Sequence, residues 1–262
     1  PPDAVEKDFI VESPVADRVD TYYWLRDDER KDPEVLAYLE AENEYYDAYR
    51  KSYEQLEQTL TDEIIGRIKQ DDSSVPYVKG DYEYYTRYEE GSEYPIHARK
   101  PMSGGEEQIL LNVNELAKDH DYYTAANLTI SPNQNLLIYG VDTVSRREYT
   151  LYIKDLINKT MLPDQINNTT GHAVWANDNK TIFYTKQDPI TLRSYQIYRH
   201  TLGTNQTDDV LVYQENNDTF GCYVSKSKSK QYIIIGSYHT SSNEYRYLDA
   251  NDPESDFKII QL

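Results

Sequence analysis

The sequence has 262 residues, of which 38% are apolar and 28% charged, a composition typical of a globular protein with a sizeable core. Its net charge of −19 argues against nucleic-acid binding, because such a chain would repel a phosphate backbone. An acidic surface favours cationic partners instead, such as peptides that carry Lys or Arg. The 27 tyrosines indicate strands with one wet face, because the ring packs while its hydroxyl stays hydrated.

Cysteine content and hydropathy bear on the compartment. The single cysteine, Cys222, excludes an intrachain disulfide, which fits a cytoplasmic protein and leaves a periplasmic one open. The sequence has no apolar run of membrane-spanning length and no signal-peptide core at its start, so we expect no membrane association. The sequence leaves open a signal peptide that was cleaved off before Pro1. Seven Asn-x-Thr sequons occur, which we interpret as turn residues and not as glycosylation sites: Asn127, Asn158, Asn167, Asn168, Asn179, Asn205 and Asn217.

Residues 1–71 are predicted to form an extended and then helical segment. Asp32 and Pro33 mark a helix start, since Asp32 would cap free N–H groups and Pro33 fits the first turn. Steps of three, four and seven between apolar residues then predict one stripe of an amphipathic helix: Leu36, Leu39, Tyr46, Tyr49, Tyr53, Leu56 and Leu60. A second cap at 61–63 predicts a further short helix through Ile64, Ile65 and Ile68.

From residue 72 onward the pattern becomes strand-like. Segments 81–88, 94–99 and 108–113 predict three strands, separated by turns at Gly91 and at Gly104. A repeat then follows, in which a strand, a polar turn and a second strand recur around residues 130–139, 175–184 and 224–235. A third strand and a short apolar piece complete each copy.

Four strands in forty-odd residues is the period of a β-propeller blade. The predicted blades run roughly over 77–116, 122–166, 172–215 and 220–262. Because a blade buries its apolar face against its neighbours, we interpret the four units as an arc of a larger propeller. The predicted fold is therefore mainly β, with a helical N-terminal segment before a partial propeller over 72–262.

Four segments resemble the start of oligopeptidase B-type members of the prolyl oligopeptidase family of serine peptidases. They read DTYYWLRDD (20–28), VLAYLEAEN (35–43), RIKQDDSSVP (67–76) and GDYEYYTR (80–87), the last followed by EYPI (93–96). Members of that family have a seven-bladed propeller inserted into an α/β-hydrolase domain. The resemblance implies that 1–71 packs with the hydrolase domain and that 72–262 forms four of seven blades. Three blades and the hydrolase domain would then lie beyond Leu262.

The resemblance also implies an activity for the intact protein. Such an enzyme hydrolyses short peptides after Arg or Lys with a Ser-Asp-His triad and no cofactor. Its propeller restricts access to small peptides. In that scheme the partners of this chain are basic peptides, the hydrolase domain and the remaining blades, and the chain alone is inactive.

No catalytic, cofactor-binding or metal-binding residue is predicted in this chain. A nucleophile elbow reads Gly-x-Ser-x-Gly, which does not occur; Ser103 and Ser237 have only part of it. Adjacent acids such as Asp71 and Asp72 point to opposite faces of a strand and predict no acid–base pair. The histidines lack metal-ligand spacing, so we interpret each as a partly exposed sheet or loop residue: His97, His120, His172, His200 and His239.

Two alternatives to the peptidase interpretation stay open on sequence alone. A stand-alone propeller that serves as a binding scaffold predicts a closed ring. A carboxylate-based glycosidase predicts a ring with two inward carboxylates. The peptidase interpretation predicts an open arc, with Trp24 and Leu25 docked on a partner domain and an apolar helix stripe that would cause association if exposed.

Overall fold

The computed structural model of the protein describes residues 1–260. The chain divides into two compact units, Pro1–Lys69 and Gln70–Leu262. Helices dominate the first unit and sheets the second. All strand pairs among the described residues are antiparallel. The described part of the chain is therefore mainly β and contains no parallel α/β-hydrolase sheet.

The first unit consists of a short ribbon and two helices. Its elements are β1 (Phe9–Val11), β2 (Arg18–Asp20), a 3-10 turn at Tyr23–Leu25, α1 (Pro33–Arg50) and α2 (Glu54–Arg67). The side chain of Asp32 accepts a hydrogen bond from the backbone N–H of Glu34 at 2.8 Å, and Pro33 occupies the first turn of α1. This is the predicted helix start, which is confirmed.

The single helix predicted through residue 60 is wrong, because α1 ends at Arg50. Both the backbone N–H and the hydroxyl of Ser52 donate to the carbonyl of Tyr49, at 3.3 and 3.0 Å. A serine that bonds the preceding turn in this way competes with the helical hydrogen bonds. The cap predicted at 61–63 is also wrong, because the second helix begins at Glu54 and contains those residues.

A different face of α1 from the predicted stripe packs within the first unit. Val35 is buried and Tyr38 half-buried, while most of the stripe is exposed: Leu36, Leu39, Tyr46, Tyr49, Leu56 and Leu60. The Trp24 ring meets Tyr38 edge-on with centroids 5.9 Å apart. Its indole N–H donates to the carbonyl of Val5 at 2.8 Å. These contacts hold Trp24 inside its own unit.

The second unit contains four propeller blades, which confirms the predicted four-stranded repeat. The first comprises β3 (Tyr77–Lys79), β4 (Tyr82–Arg87), β5 (Ile96–Pro101) and β6 (Gln108–Asn112), followed by α3 (Val113–Ala117). The second comprises β7 (Thr124–Ile130), β8 (Leu136–Asp142), β9 (Tyr149–Asp155) and the first half of β10 (Thr160–Trp175). The third comprises the second half of β10, β11 (Thr181–Gln187), β12 (Ser194–Thr201) and β13 (Val210–Gln214). The fourth comprises β14 (Gly221–Lys226), β15 (Tyr232–Tyr238), β16 (Asn243–Asp249) and β17 (Lys258–Ile259); its last predicted residues, 261 and 262, lie outside the described range.

The second and third blades share the long strand β10. Its first half pairs with β9 and its second half with β11, and the register shifts on both sides of Thr169. Gly171, which lies in the second half, has a φ of +79°. The segment 167–171, predicted as a connection between blades, therefore continues the strand and turns it from one blade into the next.

Apolar clusters fill the spaces between neighbouring blades. Trp175 is the largest fully buried side chain, and its indole N–H crosses to the carbonyl of Thr129 in the second blade at 3.1 Å. Each fully buried aliphatic or aromatic side chain contributes about 1.5–3 kcal/mol. Between the first and second blades the main contributors are Leu111, Val113, Leu137 and Tyr139. Between the second and third they are Ile138, Ile166, Trp175 and Tyr184. Between the third and fourth they are Phe183, Ile197, Val224 and Ile235.

The four blades form an open arc. Among residues 1–260, no apolar cluster joins the fourth blade to the first. The face of the fourth blade that points away from the third is rich in tyrosines that are 39–46% exposed: Tyr223, Tyr232, Tyr238 and Tyr245. This arrangement matches the peptidase interpretation and not the closed ring that either alternative requires.

A close approach of two glycines joins β8 to β10 and predicts a stability effect. A Cβ atom at Gly140 would lie 2.6 Å from the Cα atom of Gly171. We expect Gly140→Ala to lower the free energy of unfolding by about 1–3 kcal/mol, because the backbone must shift to admit the methyl group. Urea unfolding monitored by circular dichroism measures the change.

Gly66→Ala is the matched control, because a Cβ atom there meets nothing within 4 Å and alanine favours the helix α2. We expect its free energy of unfolding to be unchanged or raised. A Gly140→Ala chain as stable as the Gly66→Ala chain would contradict the close approach.

Candidate functional site

The two serines considered as nucleophiles lie in different environments. Ser103 is exposed in the turn after β5. Ser237 is buried on β15, and its hydroxyl donates to a carboxylate oxygen of Glu215. Neither hydroxyl has a histidine among the hydrogen-bond partners seen within residues 1–260. Neither position therefore has the base that an activated serine needs.

Four of the five histidines are partly or fully exposed, as predicted, but the prediction is wrong for His200. His97, His172 and His239 are half-buried and His120 is exposed, whereas only 1% of His200 is accessible. His200 lies on β12 with its ring between two carboxylates. Its burial was not predicted because the polar partners that permit it come from distant parts of the chain.

The His200 cluster consists of Asp164, His200 and Asp209. The ring Nδ1 lies 2.6 Å from Oδ1 of Asp209 and Nε2 lies 3.1 Å from Oδ1 of Asp164. Each carboxylate has one more donor: the hydroxyl of Tyr184 bonds Asp209 at 2.9 Å, and the N–H of Gly203 bonds Asp164 at 2.6 Å. The cluster thus connects β10, β12 and the turn before β13.

The electrostatics of the His200 cluster favour an imidazolium. Burial acts to lower the pKa of His200, but the hydrogen bonds and negative charges of Asp209 and Asp164 outweigh it and raise that pKa. Both ring nitrogens then donate, so neither is free to accept a proton from a nucleophile. The cluster resembles part of a triad in composition, yet its arrangement supports a structural clamp and not general-base catalysis.

The His200 cluster predicts a histidine that stays charged above the usual range. In an NMR titration we expect the pKa of His200 to lie above the ordinary value for histidine, and the pKa of His172, which burial shifts the other way, to lie below it. Because the folded-state pKa of His200 is raised, its contribution to stability is full below the unfolded pKa. That contribution is lost as the pH rises through the folded pKa. A His200 resonance that titrates below that of His172 would contradict the clamp.

A second polar site lies where the first strands of the four blades end. The turns after β3, β7, β10 and β14 together line a cavity of about 300 Å³. Four lysines contribute to its wall, and we refer to it as the lysine cavity: Lys79, Lys226, Lys228 and Lys230. This site was not predicted from the sequence. The available signal was the position of these lysines beside the first turns of the first and fourth repeats, in a strongly acidic chain.

Lys226 is the most constrained cation of the lysine cavity. Its Nζ donates to the carbonyl of Trp175 at 2.7 Å and to Oδ1 of Asn177 at 2.6 Å. Burial, followed by the charges of Lys79 and Lys230, lowers the pKa of Lys226 to about 8. The ammonium group is thus mostly charged near pH 7. The negative charge of Asp178 acts in the opposite direction on the pKa of Lys226, but it is outweighed by burial and the two lysines.

Residues 1–260 have neither a metal-binding cluster nor a membrane-spanning helix. There, no group of three or more His, Cys, Asp or Glu side chains is placed to hold a metal ion. No helix in the same range has both the length and the hydrophobicity of a membrane span.

Comparison with known proteins places these features in a family context. A family model described as the prolyl oligopeptidase N-terminal β-propeller domain matches residues 2–262. Dipeptidyl aminopeptidase BI of Pseudoxanthomonas mexicana is 41% identical over 97% of this chain and 37% of its own length. Protease 2 of Moraxella lacunata is 32% identical over 93% of this chain and 36% of its own length.

Solved structures give the same result. Oligopeptidase B from Leishmania major superimposes with a TM-score of 0.91 at 30% identity, over 100% of this chain and 39% of that one. The chain therefore spans less than two fifths of the length of the relatives that it matches. In these comparisons its counterpart is the propeller-bearing part of a longer protein.

Proposed function

The chain belongs to the prolyl oligopeptidase family of serine peptidases as an N-terminal propeller portion, and we propose that the intact enzyme hydrolyses short peptides after Arg or Lys. The observation that carries this proposal is the match to Leishmania major oligopeptidase B along the whole chain. The net charge of −19 supports it, because an acidic protein attracts cationic peptides. The reaction needs no cofactor in this proposal.

The proposed role of residues 72–262 is to limit access to the active site. An open arc of four blades needs further blades to cover the exposed tyrosine face of the fourth. With those blades in place, a narrow propeller would admit short peptides and exclude folded proteins. The catalytic Ser, Asp and His belong, in this proposal, to a hydrolase domain outside the chain.

The proposed role of residues 1–71 is to pack with that hydrolase domain. The apolar stripe of α1 and α2 supports this, because large apolar side chains lie exposed along both helices. Leu56 is 59% exposed and Ile64 61% exposed, and a series of such side chains on neighbouring helices is typical of an interaction surface. Docking on a partner domain would bury this stripe. The buried, unpaired Cys222 supports a cytoplasmic location, with the periplasm as the alternative.

A dipeptidyl aminopeptidase is the second candidate function. It is favoured by one observation, the 41% identity to dipeptidyl aminopeptidase BI, which exceeds the 32% identity to protease 2. The two candidates differ in what they require of a substrate. A dipeptidyl aminopeptidase needs a free N-terminus two residues before the cleaved bond, whereas an oligopeptidase also cleaves peptides whose N-terminus is blocked.

Peptide hydrolysis tests the proposed function. We expect the intact enzyme to cleave an N-blocked fluorogenic peptide after a dibasic pair and a serine-directed phosphonate to abolish that activity. Cleavage only of the matched peptide with a free N-terminus would favour the second candidate. Absence of phosphonate-sensitive hydrolysis of either peptide would contradict both.

The isolated chain of 262 residues is expected to have no such activity, because we propose that the triad lies elsewhere. The same two peptides and the same phosphonate measure this after chromatographic removal of contaminants. Phosphonate-sensitive turnover that copurifies with the chain through successive columns would contradict the proposal that the triad lies outside the chain.

The exposed helix stripe predicts association of the isolated chain. We expect sedimentation velocity to show reversible self-association that Leu56→Glu reduces, because a charge on an apolar contact surface must be desolvated. Glu54→Gln, a change on the same helix outside the stripe, is the control and should leave association unchanged. A monomeric wild-type chain at all concentrations would contradict the stripe as a contact surface.

A further inference from the structure

We propose that the lysine cavity binds the C-terminal carboxylate of a peptide, with Lys79, Lys226 and Lys230 as its cationic partners. The inference rests on the proposed peptidase function, since it assigns one end of a peptide substrate to a place in the propeller. Its support comes from three features of the cavity: an excess of positive charge, a fixed ammonium group and apolar walls.

The charge of the lysine cavity is opposite to that of the chain. The net charge of the chain is −19, yet no Asp or Glu is among the described residues that line the cavity. Within residues 1–260, none of the cavity lysines takes part in an ion pair. Burial, with the nearby charge of Lys230 added, lowers the pKa of Lys79. Asp178 acts on Lys226 from outside the lining, but burial and the neighbouring lysines outweigh it. Clustered ammonium groups with such an excess of positive charge favour the binding of an anion.

Lys226 offers a donor whose position is already fixed. Its ammonium group has three N–H donors, and the contacts to Trp175 and Asn177 occupy two of them. Asn177 is held in turn, because its side-chain N–H₂ group donates to the carbonyl of Lys230 at 3.1 Å and to Oδ1 of Asn251 at 2.9 Å. The third N–H of Lys226 is left for a ligand, and a fixed donor loses little entropy when it binds.

The walls of the lysine cavity favour a carboxylate attached to an apolar group. Ile130, Pro132 and Val174 line it beside the lysines, so a terminal residue would bury its side chain while its carboxylate meets the ammonium groups. Inorganic phosphate gains nothing from apolar walls, so the walls favour a carboxylate that carries an apolar group. A volume of about 300 Å³ lies at the small end of the range for ligand pockets, which fits the end of a peptide.

Calorimetric titration of the full 262-residue chain tests the proposal with three probes. These are acetyl-Ala-Ala-Leu with a free carboxylate, the same peptide as its C-terminal amide, and inorganic phosphate. We expect the acid to bind at least about tenfold more tightly than either of the others. Equal binding of acid and amide, tighter binding of phosphate, or no binding of the acid would overturn the proposal.

Variants of Lys79 locate the binding, because this side chain forms no hydrogen bond within residues 1–260 that its replacement would break. We expect Lys79→Met to weaken binding of the acid about tenfold, while Lys79→Arg keeps it and the exposed control Lys100→Met leaves it unchanged. Wild-type affinity in Lys79→Met would overturn the assignment. If the acid does not bind in the lysine cavity, phosphonate-sensitive hydrolysis by the intact enzyme is still expected. Failure of this inference is therefore distinguishable from failure of the proposed function.

Discussion

Face-to-face stacking of four-stranded sheets is the constraint on which the rest of the structure depends. Each blade has an apolar face that only a neighbouring blade covers, and Trp175 shows the consequence, since it is buried between two blades and hydrogen-bonded across the gap. Covering such side chains removes apolar surface from water, and no single blade achieves this alone. The tyrosine face of the fourth blade has no neighbour among the described residues, so its rings stay 39–46% exposed.

Much of the second unit was predictable because its signals are local. Alternating apolar residues, polar turns and a period of forty-odd residues gave the strands and the blades. The interpretation of the sequon asparagines as turn residues is confirmed at Asn179, which has positive φ in the turn before β11, but it is wrong at Asn127 and Asn168. These two adopt positive φ beside register shifts within β7 and β10. The continuation of β10 through residues 167–171 was not predictable, because Asn168 and Gly171 are typical of turns and only pairing on both sides keeps them in a strand.

The features that were not predicted depend mostly on contacts between distant residues. Asp164, His200 and Asp209 lie on different segments, and no spacing indicates that two carboxylates would enclose one ring. The lysine cavity likewise joins the first and fourth blades. In the proposed enzyme these charges would have complementary effects, since the acidic surface attracts the basic part of a peptide and the lysine cavity receives its anionic end. The unpredicted helix break after Arg50 has a local cause, the double hydrogen bond of Ser52, which propensity does not reveal.

The central claim is that this chain is an open arc that further blades complete. Hydrogen–deuterium exchange of the isolated chain and of the longer peptidase tests it most directly, with peptides from β14–β17 compared with peptides from β8 and β11. The account predicts that β14–β17 exchange markedly faster in the isolated chain, while the interior strands exchange alike in both. Equal protection of β14–β17 in the two proteins would contradict it.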